Sequence, residues 1–600
     1  MIETQDIRAR SDVPVEFTWD LAVVFENDAA WERELAEVET MKPALAALQG
    51  TVAESATALL HALEVTEQAE MKMQRVYLYA RMRKDTNGTD AEAQALDSRS
   101  ATLYSQIGAA VSFLEPEILT IPPDTLAEWE SNEPRLKPYA YYLDHLMRMR
   151  AHVRSAEVEE ILAEFGDVTR APSDTYEALT NIDLAFPSIE DDHGQPVQLS
   201  SARYLYCMRS ADRRLRHDAF KAFFNTYGSV KTTLSTTLGA TVRDHALTAR
   251  LRKYPSALAA SLEPNDIPIE VYGTLISTIH GNLPLLHRYM TVRKHLLGLD
   301  ELHPYDLYAP LVPDVDDTFE YETGKRMVRE AFTPLGREYA AALEQVLDRR
   351  WIDVYENVGK QSGAYSGGGY TTPPFILLNY QDRLADVATL AHELGHSLHS
   401  YFTRRHQPFI SGEYTTFVAE VASTLNEALL TAHLLATLDD AAMRKRLIVE
   451  QMEGIRSTIF RQTMFAEFEL AIHERAEAGE ALTSDWLSAR YLDLARQYYG
   501  PELAIDEELA MEWGFIPHFY YDFYVYQYAT GKSAALALAN QILEEGEPAV
   551  QRYLTFLRSG SSRSPIDLLR DAGVDMTTPV PIQQSMDRFE TLLNDLDSTN

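Results

Sequence analysis

Apolar residues recur three and four positions apart along most of the chain, the period of an amphipathic helix. Stretches rich in Ala, Leu and Glu near 28–48, 53–83 and 89–115 predict long helices, and Ile121-Pro122-Pro123 and Glu133-Pro134 interrupt the pattern. Over Phe186–Leu199 the helical period gives way to a short hairpin pattern, with Asp192-His193-Gly194 in its turn. A boundary near residue 200 divides an N-terminal helical lobe, 1–200, from a second portion, 201–600. Helical periodicity resumes to about 245 and continues over 270–297 and 318–348. Phe375–Tyr380, an apolar run between Pro373-Pro374 and Gln381-Asp382, predicts a strand. Two further helices follow. Leu384–Tyr401 contains no proline, and Phe417–Glu427 has a small-residue face of Ala419, Ala422 and Ser423 suited to close packing. Asn594–Asn600 is expected to fray. The predicted class is mainly α with a small sheet.

Composition narrows the setting. At 600 residues and 46% hydrophobic, the chain is long enough to bury a large core and to divide into lobes. No run of 18 apolar residues predicts a membrane span, and Met1–Asp12 lacks the apolar centre of a signal peptide. The one cysteine, Cys207, excludes an internal disulfide framework and leads to the expectation of a reducing, cytoplasmic compartment. Within Tyr204-Leu205-Tyr206-Cys207-Met208 it reads as a small buried hydrophobe. A net charge of −36 opposes binding to nucleic acid, whose phosphates it repels. No membrane partner is expected, and none of these features sets an oligomeric state.

Candidate chemistry is concentrated in His392-Glu393-Leu394-Gly395-His396. Residues four apart share a helical face, so His392 and His396 can offer two imidazole nitrogens to one metal ion. Glu393 lies roughly 100° around the helix, placed to take a proton from a water on that ion. A metzincin would need Gly at 399 and His at 402, where this chain has His399 and Phe402. Glu420, among small and apolar neighbours that imply burial, is the expected third ligand. Seven residues on, Glu427 shares its face and can hold a ligand histidine through the second ring nitrogen. His399 shares a face with His392. Three ligands over two turns of one straight helix would rise about 10 Å, too far to meet at one ion, so His399 is expected beside the ligands or facing substrate.

Together, His392–Ser400 and Phe417–Glu427 resemble the oligoendopeptidase F branch of the thimet oligopeptidase family of metallopeptidases. Gly363–Gly369 with Pro374–Tyr380 resembles the stretch before the metal helix in that branch, and Ile516–Gly531 its substrate-binding tyrosine segment. The resemblance implies a two-lobed helical ellipsoid enclosing a deep substrate channel, with a small sheet beside the metal helix. It makes 201–600 the catalytic portion and implies one Zn2+ per chain. It further implies short oligopeptide substrates and a His and a Tyr that stabilise the oxyanion. His518 matches that histidine. Tyr526 is the first choice of tyrosine, with Tyr521 and Tyr524 as alternatives. Phe375–Tyr380 would pair its backbone with the bound peptide.

Two other functions compete with a zinc endopeptidase. An end-trimming peptidase of the dipeptidyl carboxypeptidase kind needs a group to grip a free carboxylate, and no Arg or Lys stands out for it. An inactive peptide-binding protein would have no need of a base such as Glu393 beside the metal.

Overall fold

Polar caps start the long helices close to where the periodicity places them. The Asn27 side chain accepts from the Ala30 amide ahead of Asp28–Ala46, and Ser55 does the same for Ala58 ahead of Ala56–Thr86. Asp90 caps Ala91–Val111. This computed structural model describes residues 7–312 and 318–598. Six of the residues in the Met1–Asp12 reading and the last two of Asn594–Asn600 lie outside that description.

The described chain is mainly α, as expected. Prolines that seemed to interrupt helices also begin them: Pro123 opens Pro123–Asn132 and Pro134 opens a short 3-10 turn. The expected 318–348 helix is two, Tyr321–Ala331 and Gly336–Asp348, parted by a turn through Pro334 and by Gly336 at φ +81°. The C-terminal helix, Val580–Ser598, continues through most of the segment expected to fray, because Leu592, Leu593 and Leu596 are buried. No described helix is long and apolar enough to cross a membrane. Cys207 is buried, and burial raises its thiol pKa.

The strands are few and short. β1 (Ser188–Glu190) and β2 (Pro196–Gln198) form the expected antiparallel hairpin. β3 (Ile352–Tyr355), β4 (Tyr365–Gly367) and β5 (Phe375–Tyr380) form a sheet in the order β3-β5-β4. β5 runs parallel to β3 and antiparallel to β4. The β5 strand is therefore real, but both its edges are taken and it cannot pair with a peptide. The glycine-bearing strand β4 is at the sheet's edge.

Two compact units are built from interleaved segments. The first comprises Met1–Ala151, Asp316–Ala436 and Leu538–Val574, and the second His152–Val315, Thr437–Ala537 and Asp575–Asn600. In the first, the helix Leu384–His406 packs against Tyr321–Ala331, Gly336–Asp348, Glu547–Leu557, β4 and β5. Its apolar face, including Leu390, Ala391, Leu394 and Leu398, is fully buried. In the second, Lys231–Leu251 packs on Arg461–Glu477, and Ile269–Leu296 on Val580–Ser598. Two carboxylates there are paired: Asp306 receives Arg213, Arg216 and the His303 amide, and Glu453 receives Arg293 and Arg456.

Candidate metal centre

Two helices of the first unit meet at a glycine. Gly395 packs so tightly on the helix Thr416–Thr437 that a Cβ there would stand 2.4 Å from Cα of Ser423 and 2.6 Å from the Ala422 carbonyl oxygen. Asn426 fastens the contact, donating to the Ala391 carbonyl at 3.1 Å and accepting from the Tyr339 hydroxyl at 2.9 Å. The small-residue face expected over Ala419–Ser423 thus allows the two backbones to approach. This close approach brings a carboxylate of one helix to the histidines of the other.

Nε2 of His392 and Nε2 of His396 are 3.2 Å apart, and Oε2 of Glu420 is 3.4 Å from each. Ligand atoms on arms of about 2.0–2.1 Å around a tetrahedral ion are ~3.3 Å apart, so the triangle fits a zinc-sized cation. Glu427 Oε1 lies 2.6 Å from Nδ1 of His392, which fixes that ring with Nε2 turned to the centre. Burial alone would lower the proton affinity of His392, but the Glu427, Glu393 and Glu420 carboxylates outweigh it and raise its pKa. At Glu420 the contact with His396 leads, opposed by burial and joined by His392 and Ser423, and its pKa falls to about 2. The Glu420 side chain remains 49% exposed, contrary to the burial expected from its neighbours. Its position comes from the histidines and from Ser423 Oγ, which donates to Oε2 at 2.9 Å.

Glu393 is buried beside this triangle. Its Oε2 is a buried atom without a hydrogen-bond partner, and the Ser366 amide of β4 reaches its carboxylate. Burial raises its pKa against the pull of both histidines. His399 is elsewhere: it is buried, stacked on Tyr414 at 3.8 Å and near Phe556. Burial, with His396 contributing, pushes it down to about 3, so it is a neutral packing residue in this structure.

The Peptidase family M3 profile matches residues 206–588, and the Oligopeptidase F profile matches 117–186. The chain belongs to peptidase family M3. It is 46% identical to oligopeptidase PepF of Bacillus subtilis over 588 residues, 98% of this chain and 88% of that one. Crystal structures agree. An oligoendopeptidase F from Enterococcus faecium superposes with a TM-score of 0.74 at 37% identity, covering 95% and 99% of the two chains. A Chlamydophila abortus protein gives 0.94 at 36% identity, covering 99% and 100%. This M3 protein is a metallopeptidase and a hydrolase, and its substrates are peptides.

The remaining expected residues of the M3 peptidase lie in its second unit. His518 sits in a 3-10 turn, Pro517–Tyr520, with its Nε2 3.2 Å from the Tyr528 hydroxyl. Burial and the Arg461 charge lower its pKa. Tyr521, 48% exposed, and Tyr524 also place their rings near His518, at 5.6 and 6.0 Å. Tyr526 is buried instead, its ring 5.1 Å from that of Tyr272. Asn426 and Ser366 carry no sequence signal of their part in the site, and Tyr528 is one of five tyrosines in its segment with no spacing that singles it out. Gly395 carried a usable signal, since a glycine inside an uninterrupted helix implies close approach of another backbone.

Proposed function

We propose that this M3 peptidase is a zinc-dependent endopeptidase that cuts internal bonds of short oligopeptides, with His392, His396 and Glu420 holding the ion. The observation that carries the reading is the triangle of donor atoms with Glu393 buried at its side. Zinc bound there supplies Lewis acidity, lowering the pKa of a water towards neutrality and polarising the scissile carbonyl.

The chain's own groups do the rest. Glu427 keeps the His392 ring in the tautomer that presents Nε2. Glu393 takes a proton from the attacking water on its unpartnered Oε2 and passes it to the departing amine. Among the described residues strand β4 pairs only with β5, so its other edge can align an extended peptide by backbone hydrogen bonds. His518 and a tyrosine donate to the oxyanion, a role that rests on the family resemblance. Tyr528, already paired with His518, is favoured over the buried Tyr526.

An internally quenched peptide blocked at both ends tests this reading. Internal cleavage that is lost with chelator, and lost in Glu393→Gln while zinc is retained, supports it. No cleavage by zinc-loaded wild type across several peptides, blocked and free, would overturn it.

A further inference from the structure

One other group among the described residues brings three metal-type donors within 4.8 Å of one another: His245, His473 and Asp522, all in the second unit. His245 comes from the helix Lys231–Leu251, His473 from Arg461–Glu477, and Asp522 from the loop that follows Tyr520. Nδ1 of His245 lies 3.1 Å from Nε2 of His473 and 3.4 Å from Oδ1 of Asp522. These separations match the 3.2 and 3.4 Å edges of the His392 triangle.

The donors are in the right chemical state. Nδ1 of His473 lies 2.8 Å from the Glu469 carbonyl oxygen, to which it donates, leaving the Nε2 lone pair turned towards His245.

A plain hydrogen bond from His245 to His473 would satisfy those two nitrogens, but it leaves the acids unanswered. Oδ1 of Asp522 and Oε2 of Glu469 are both buried atoms without a hydrogen-bond partner. Glu469 is fully buried, and its other oxygen receives the amide of Phe523, the residue after Asp522, at 2.7 Å. Two carboxyl groups with orphaned oxygens beside two imidazoles form a pocket short of positive charge. Nitrogen donors exclude calcium and magnesium as good occupants and favour zinc or a neighbouring transition ion.

We propose that His245, His473 and Asp522 bind a second divalent transition-metal ion, with Glu469 compensating its charge. It would tie two helices to the Asp522–Phe523 turn, whose φ angles of +38° and +57° are unusual for such residues. That turn lies in the segment carrying Tyr521 and Tyr524. The role is positioning rather than chemical, and it makes two ions per chain where sequence resemblance implies one.

The test is metal content of the full-length chain after equilibrium dialysis against Zn2+ and removal of loose ions, with thermal melting alongside. Wild type is expected to hold two equivalents and His245→Gln one. The double variant His392→Gln/His396→Gln is expected to hold one and to melt higher with zinc than without. Adding His245→Gln should abolish both its zinc and that shift. If His245→Gln fails to fold, the double variant decides: one equivalent supports the site and none overturns it. Wild-type zinc content unchanged by both His245→Gln and His473→Gln also overturns it. A single equivalent that His245→Gln removes, and the double variant keeps, would instead remove the ion from the His392 centre and leave this site standing.

Discussion

Gly395 lies against Ser423 with no room for a single methyl group between the two helices that carry the proposed metal ligands. Gly395→Ala should therefore push the helices apart. Overpacking of this kind costs about 1–3 kcal/mol or more, and it also pulls Glu420 from the histidines. The expected outcome is a lower melting temperature together with weaker zinc retention. Gly108→Ala, inside the helix Ala91–Val111 where the added Cβ meets nothing within 4 Å, is the control: it should leave zinc retention unchanged and hold or slightly raise the melting temperature.

Glu427 contacts only the far nitrogen of His392, so its effect should appear in metal affinity. In Glu427→Gln the fold should persist while zinc affinity falls roughly 10–100-fold, the usual range for such an outer partner. Competition with a chromophoric chelator measures it. Unchanged affinity would mean the contact does not orient the ring.

Asn426 bridges a backbone carbonyl and a buried hydroxyl. Asn426→Leu leaves the Tyr339 hydroxyl unanswered, at about 1–3 kcal/mol, while the Ala391 carbonyl, inside the helix Leu384–His406, loses only its second hydrogen bond. Tyr339→Phe in the leucine background should restore part of that loss, because it removes one orphaned group. Urea unfolding of the four proteins forms the cycle that checks it.

Asp306 gives a pH prediction away from the metal. Burial opposes its charge, but Arg213, Arg216 and the His303 amide outweigh burial and hold the carboxyl below its usual pKa. A depressed carboxyl stabilises the fold at pH values above its unfolded pKa of about 3.9 and loses that contribution as pH falls through the folded value. Asp306→Asn strands Arg216, which is almost fully buried, at about 3–5 kcal/mol. The gap between the two proteins should be widest near pH 7 and narrow below pH ~4 as wild type also loses the charge. Chemical denaturation across pH reads it, and a gap independent of pH would discount the charge.

What sequence reading captured here was local. His392 and His396 share a face because helical spacing requires it, and Glu427 shares that of Glu420 by the same rule, but that it is His392 which Glu427 holds comes from the packing of the two helices. Periodicity alone places three helix starts near 28, 53 and 89, and the structure begins those helices at Asp28, Ala56 and Ala91, each capped by a polar side chain. Errors arose where distant segments decide. β5 has the composition of a strand, but its neighbours on both sides are set by pairing with β3 and β4, which periodicity does not encode. Glu420 has apolar neighbours along the chain and still faces partly outward, since helix orientation depends on Gly395. In the tyrosine segment, the turn at Asp522–Phe523 rotates Tyr526 inward and Tyr528 to His518, and no spacing rule anticipates two successive residues at positive φ.

Thr403, near the end of the metal helix, donates to the carbonyl of Leu557, 154 residues later. His399 likewise stacks near Phe556. During synthesis the metal helix leaves the ribosome long before the segment that braces its far end. The first unit cannot close until translation has reached its last stretch, Leu538–Val574. The order of the chain thus works as a timer: a growing polypeptide carries His392, His396 and Glu420 while the scaffold that steadies them is still unmade.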